Sequence, residues 1–294
     1  MHGKYKGSIL VKQVDFILRN ARGLILFTDL DATLLDHYTY DYQPATAALH
    51  LLKQFHIPLI LTSSKTFDEV MHWRKVLDLS DPFIFENGGG IAFPPDFPIL
   101  LPELPTVQDL KILFLSPPYA EIVAIVRQLK TRFSFRGFFE LTPEEIARRT
   151  GLPLEAARRA KNRLCSEPII WEDSEAHLKQ FKQILNSNNL QVIRGGRFYH
   201  VLGNSTNKGV AVQKVIHLFS EWEGFKRVSI GLGDSPNDLP MWQAVDIPVA
   251  VQRPNGQYTS PLPENTIKAP AKGPEGWNQA VLDLVHRWQA LNTA

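Results

Sequence analysis

The sequence predicts an α/β protein whose parallel-sheet core is interrupted by an inserted α+β segment. Three observations carry this expectation. Short apolar runs without alternation, which suit strands buried on both faces, recur between stretches of helical spacing. The alternation stops at a proline-rich stretch after Phe93. It resumes at Asn207.

Gly23-Leu24-Ile25-Leu26-Phe27-Thr28 is the first such run, and it ends at Asp29. Ala48, Leu51, Leu52 and Phe55 fall at i, i+3, i+4 and i+7, one face of a helix. Residues 57–61 read as a second strand. Thr66, with Glu69 three positions on, opens the next helix as a capping box. Ile84-Phe85 starts a third strand, and this β-α-β-α-β order predicts parallel pairing with right-handed crossovers.

Five prolines between Pro94 and Pro105 bar both helix and central strand, so the stretch reads as a linker. The segment beyond it is expected to begin with a strand at 110–115 and a helix over 119–133. Thr142-Pro143-Glu144-Glu145 has the N-cap, N1 and N3 residues of a helix start, with Gly151 closing that helix. A short helix over 153–163, strands at 169–171 and 198–202, and a helix over 175–186 complete the insert. After Asn207 come a helical stripe of Val212, Val215, Ile216 and Phe219 and a strand at 227–232 running into Gly233-Asp234. Val281, Leu284, Val285 and Trp288 form a last amphipathic helix, with Pro274 just ahead of it.

Composition excludes several classes. With 44% hydrophobic and 21% charged residues the chain is an ordinary globular one, neither collagen-like nor disordered. A net charge of +2 does not advertise nucleic-acid binding. The one cysteine, Cys165, rules out an intramolecular disulfide and a multi-thiolate zinc site, and packing is its expected role. Charges break every apolar stretch short of a signal-peptide core or a membrane span, so a cytoplasmic location and no membrane partner are expected.

Chemistry concentrates where strands end. Asp29 and Asp31 follow the first strand directly, in the crevice position of open α/β sheets. One carboxylate suits a nucleophile and hard-metal ligand and the other a proton shuttle, against the alternative of two solvated turn aspartates. Ser63-Ser64-Lys65-Thr66 also links a strand to a helix; its hydroxyls, amides and ammonium suit phosphate oxygens, although simple N-capping would use the same residues. Lys208 opens a helix, where it is either a counter-charge for a phosphoryl group or a solvated lysine. Gly231-x-Gly233-Asp234-Ser235-Pro236-Asn237-Asp238 brings two carboxylates and an amide to one loop, a donor set suited to Mg2+. A dinucleotide fingerprint fails there, because Pro236 stands where its third glycine belongs.

Taken in order, these four pieces resemble the haloacid dehalogenase-like phosphatase superfamily along essentially the whole chain. The resemblance implies a Rossmann-like core of residues 1–98 and 204–294 and an inserted C2-type cap of residues 99–203. It also implies that Asp29 is the nucleophile that becomes an aspartyl-phosphate. Asp31 is then the acid/base, with its carbonyl on Mg2+; Ser63 binds the phosphoryl group and Lys208 holds Asp29 and the phosphate. Asp234 completes the metal set of Asp29, Asp31 and Asp234, while Asn237 and Asp238 support phosphate and lysine. The glycine usual after the second aspartate is Ala32 here.

Further motifs are similar to the mannosyl-3-phosphoglycerate phosphatase family. They are Ser63-Ser64-Lys65-Thr66, Glu86-Asn87-Gly88-Gly89-Gly90, Glu140–Ala147, Ser166-Glu167-Pro168, Gly195-Gly196-Arg197-Phe198-Tyr199-His200-Val201 and Lys272-Gly273-Pro274-Glu275-Gly276-Trp277. The resemblance implies a small phosphorylated sugar-acid substrate, with Ser64, Lys65 and Asn87 on the phosphate side. Arg194-Gly195-Gly196-Arg197 offers guanidiniums for its carboxylate, and His200 is a weaker candidate for a substrate contact. Most of Arg148, Arg149, Arg158, Arg159, Lys161 and Arg163 are expected on solvated helix faces. Competing readings are a glucosyl-3-phosphoglycerate or general hexose-phosphate phosphatase, a phosphomannomutase, and a binding module with a vestigial site. Oligomeric state is left open.

Overall fold

In a computed structural model of the chain, residues 2–98, 103–195 and 198–293 are described. The chain opens with helix α1 (His2–Arg19), strand β1 (Leu24–Thr28), α2 (Thr46–Gln54), β2 (Leu59–Thr62) and α3 (Phe67–Val76). β3 (Phe83–Phe85), β4 (Gly90–Phe93), β5 (Thr106–Val107), β6 (Leu110–Phe114), α4 (Tyr119–Leu129) and β7 (Phe135–Gly137) follow. Next come α5 (Pro143–Thr150), α6 (Leu154–Lys161), β8 (Glu167–Trp171), α7 (Glu175–Ser187), β9 (Leu190–Arg194) and β10 (Tyr199–Gly203). The last elements are α8 (Lys208–Glu223), β11 (Val228–Gly233), α9 (Leu239–Ala244), β12 (Ile247–Gln252), β13 (Ile267–Lys272) and α10 (Gly273–Asn292).

Two compact units account for these elements. The first takes the described residues of Met1–Thr62 and Val212–Ala294, together with Pro98. Its strands are parallel, in the order β13-β12-β11-β1-β2. β1 is buried along its whole length, as expected for a strand covered on both faces. α10 packs its Trp277, Val281, Leu284 and Val285 into this core. The helix begins at Gly273, so Pro274 lies in its first turn rather than ahead of it, where proline's missing N–H costs nothing. A Cβ on Gly276 would stand 1.9 Å from the Ala271 carbonyl oxygen, so glycine alone lets α10 start so close to β13. β13 went unpredicted because it carries Lys268, Pro270 and Lys272, the residues of an edge strand. α1 was also unpredicted; its Val14 and Leu18 are buried one turn apart.

The second unit takes the described residues of Ser63–Phe97 and Leu101–Ala211. It holds two antiparallel arrays, β3-β4-β6-β5 and β7-β8-β10-β9. The strand expected to open the insert, near 110–115, pairs instead with β4, Ile91 opposite Leu113. Gly90 opens that pairing opposite Phe114, with four residues between it and the end of β3, and a Cβ on it would stand 2.2 Å from the Phe85 ring. The linker prolines lie partly outside the described residues. α4 and α7 bury Ile122, Val126, Leu178, Phe181 and Leu185 against Phe135, Ile169 and Val201 of the second array. α4 stops at Leu129, short of the expected Phe133, which nonetheless joins the same core. The predicted capping boxes of α3 and α5 are both present, and Gly151 closes α5 with φ at +75°. Among the described residues, no helix is long and apolar enough to cross a membrane.

Candidate active site

In the first unit, β1 and β11 run side by side and both end in aspartates. The Asp29 amide donates to the Leu232 carbonyl at 2.9 Å, which carries the pairing one residue past the strand. One carboxylate oxygen from each of Asp29, Asp234 and Asp238 lies within 4.8 Å of the others, and all three residues are buried. The half-buried carboxylate of Asp31 is not part of this trio. Three buried oxygen donors with no imidazole or thiolate among them fit a hard divalent cation better than zinc.

The loop after β11 is fixed by its own side chains. Asp238 Oδ2 accepts the amides of Asp234 and Ser235, each at 3.0 Å, so one of its oxygens is committed to loop geometry. Gly233 makes this possible, since a Cβ there would stand 2.4 Å from Asp238 Cγ. Asn237 is half-buried and accepts from the Ser235 hydroxyl. Two residues to which the sequence assigned no role buttress Asp234. Thr33 donates its hydroxyl to Asp234 Oδ1 at 3.3 Å, and Arg253 donates Nε to the Asp234 carbonyl at 3.1 Å. Ala32 sits at φ +59°, the left-handed conformation that glycine adopts without strain.

Within the second unit, the structure gathers Ser63, Asn87 and the start of α8. Ser63 follows β2; its amide donates to the Ile84 carbonyl and its carbonyl accepts from the Asn87 amide at 2.9 Å. Ser63 Oγ accepts from the Lys65 amide at 3.2 Å, which leaves its hydroxyl hydrogen to donate elsewhere. The Lys65 ammonium is buried 3.6 Å from Glu69 Oε1. Glu86 and Asn87 both have positive φ, +49° and +57°, a strained pair for non-glycine residues. Gly88 follows at φ +91°, and a Cβ on it would stand 2.3 Å from the Asn207 carbonyl oxygen, directly before Lys208. Lys208 is almost wholly buried, 1% exposed, so it is not a solvated surface lysine.

The cap candidates are more dispersed. Arg194 is exposed, with its guanidinium over the Tyr199 ring at 5.8 Å, and the Gly195 amide donates to the Phe198 carbonyl. Gly196 and Arg197 lie outside the described residues. Arg148, Arg149 and Arg158 are exposed as expected, but Arg163 is buried and corrects the expectation of a solvated face. Its charge is met by Glu86, which is also fully buried. Glu167, buried beneath the Tyr119 hydroxyl and the Phe139 amide, has its pKa raised to about 7 by desolvation. His200 is held neutral, its pKa lowered to about 3 by burial and then by the Arg163 guanidinium, and its Nδ1 has no hydrogen-bond partner among the described residues. Burial raises the Cys165 thiol, which makes it an inert packing residue.

A parallel sheet whose neighbouring strands deliver buried aspartates, followed by a serine loop and a helix-initial lysine, defines a class of hydrolase. The chain belongs to the haloacid dehalogenase-like hydrolase family, which matches residues 26–259. Within that family it is a phosphatase, a phosphoric monoester hydrolase. It is 38% identical over 92% of its length to the glucosyl-3-phosphoglycerate/mannosyl-3-phosphoglycerate phosphatase of Persephonella marina, covering 97% of that protein. To the protein of the same name in Methanococcoides burtonii it is 39% identical over 89% of its length, again covering 97% of that protein. The crystal structure of Thermoplasma acidophilum 0175 is similar in fold, with a TM-score of 0.66 at 16% identity, over 90% of this chain and 98% of that one.

Proposed function

We propose that the protein is a Mg2+-dependent phosphatase that hydrolyses mannosyl-3-phosphoglycerate to mannosylglycerate and inorganic phosphate. The observation that carries this reading is the buried Asp29–Asp234–Asp238 trio in a chain whose relatives bear that substrate in their names. Those names also include glucosyl-3-phosphoglycerate, which is the second reading. On this proposal residues 1–98 and 204–294 carry the chemistry, and residues 99–203, with Arg194 and Arg197 toward the substrate carboxylate, select the ligand.

Asp29 would attack phosphorus, forming an Oδ–P bond as the bond from phosphorus to the glycerate oxygen breaks. Asp31 would give its proton to that leaving oxygen, then take one from the water that cleaves the aspartyl-phosphate and frees Asp29. Ser63, Ser64, Lys65, Asn87 and Asn237 would donate to phosphoryl oxygens, and Lys208 would neutralise their charge. Asp29, Asp234 and the Asp31 carbonyl would hold the cation, with Asp238 fixing their loop. A bound Mg2+ supplies charge neutralisation at the phosphoryl group. A substrate with both phosphate and carboxylate does not cross a bilayer unaided, which favours a cytoplasmic setting.

Phosphate release from purified protein with Mg2+, across mannosyl- and glucosyl-3-phosphoglycerate, hexose phosphates and hexose bisphosphates, tests the assignment. Preference for the mannosyl compound is expected; efficient hexose-phosphate hydrolysis without glycerate dependence would defeat it, and phosphoryl return to a sugar would indicate a mutase. Asp29→Asn should lower turnover by about 10³-fold or more while circular dichroism and thermal midpoint stay near wild type.

A further inference from the structure

We propose that Arg163 is a positioning residue that aims the Ser63 hydroxyl, and that Glu86 exists to hold Arg163 in place. The proposal rests on Ser63 as a phosphoryl ligand. Both charged side chains are buried, with Glu86 at 0% and Arg163 at 6% exposure, and Nε stands 3.6 Å from Glu86 Oε2. A buried ion pair seldom repays its desolvation as stability, so its hydrogen bonds are the better guide to its role.

Those bonds converge on one loop. Glu86 accepts from the Leu164 amide at 2.8 Å, the Cys165 amide at 3.1 Å and the Ser166 hydroxyl at 2.6 Å. Arg163 donates Nε to the Ser166 carbonyl, Nη2 to the Ser166 hydroxyl and Nη1 to the Ala160 carbonyl. Among the described residues, its bond outside that segment runs from Nη2 to the Ser64 carbonyl at 3.2 Å. The carbonyls on either side are also taken, Ser63 by the Asn87 amide and Lys65 by the Glu86 amide. Three consecutive loop carbonyls are thus pinned by residues 87, 163 and 86.

The middle bond matters most. A trans peptide is planar, with its C=O and the following N–H on opposite edges. Fixing the Ser64 carbonyl therefore fixes the Lys65 N–H, and that N–H donates to Ser63 Oγ. Arg163 holds one edge of a peptide plane and Ser63 Oγ receives the other. The serine's remaining hydrogen is then directed by a residue a hundred positions away in sequence.

A double-mutant cycle with inorganic phosphate as competitive inhibitor tests this. Arg163→Lys and Arg163→Gln should each raise the phosphate inhibition constant by about tenfold and lower kcat; the lysine variant, which keeps a charge beside Glu86, should hold a thermal midpoint closer to wild type than the glutamine variant, which leaves Glu86 buried without its counter-charge. In a Ser63→Ala background the same substitutions should change neither value by more than about twofold, since the group they aim is gone. Equal losses in both backgrounds, or an unchanged inhibition constant in the single variants, would overturn the proposal. Ser63→Ala with wild-type phosphate affinity would instead remove Ser63 from the phosphate site, and this inference with it.

Discussion

A single hydrogen atom on Gly233 decides whether the carboxylate trio can exist. Its missing side chain leaves the space into which Asp238 folds back to accept two amides. Gly233→Ala should therefore displace Asp238, cost about 1–3 kcal/mol of stability and raise the Mg2+ concentration needed for half-maximal activity. Thermal melts and a Mg2+ titration of phosphate release check both halves; Asp238→Asn should reproduce the second. Neighbouring Asp234 depends on Thr33 and Arg253 as well: Asp238 takes its amide, Arg253 its carbonyl and Thr33 its carboxylate.

At the scale of elements, α3 ties the serine loop to the packing beneath it. Thr66 Oγ1 accepts from the Glu69 amide, Glu69 returns a bond to the Thr66 amide, and the Thr66 hydroxyl also donates to the Arg159 carbonyl. Thr66→Ala should cost about 1–2 kcal/mol in urea unfolding, while Thr66→Ser should stay close to wild type. This box was legible in the sequence because all its partners lie within one turn. α2, α5 and α8 were legible from equally local spacing and caps, and β1 and β2 from continuous apolar runs whose ends also marked the aspartates and the serine loop. β9 and β13 were not, because each ends the strand order of its array and carries polar residues that break an apolar run. Nor could spacing reveal that Glu86 would meet Arg163, since that pairing is made only when distant segments pack. The basic run from Arg148 to Arg163 therefore looked uniform, yet its last member faces inward.

For the molecule as a whole, two buried groups give opposite pH responses. Glu167 has its pKa raised to about 7 from 4.5, so the folded state binds more protons than the unfolded state between those values. Its contribution to stability is present below about pH 4.5 and is lost as pH rises through 7. His200, lowered to about 3 from 6.5, contributes stability above about pH 6.5 that is lost as pH falls toward 3. The wild-type melting profile should be flattened where the two overlap. Glu167→Gln should leave a midpoint that climbs with pH across that window, and His200→Gln one that declines; matching slopes in the two variants would contradict the assignment. Strand order in the first unit has another consequence, one of timing. β1 pairs with β2, which follows it closely, and with β11, where Leu24 meets Val228 about two hundred residues later. At about 5–20 residues per second on a ribosome, the Leu24–Phe27 run waits roughly 10–40 seconds for that second neighbour. The strand that presents the candidate nucleophile thus keeps one edge open long after β2 is made, and its pairing with β11 is a slow, non-local step of folding.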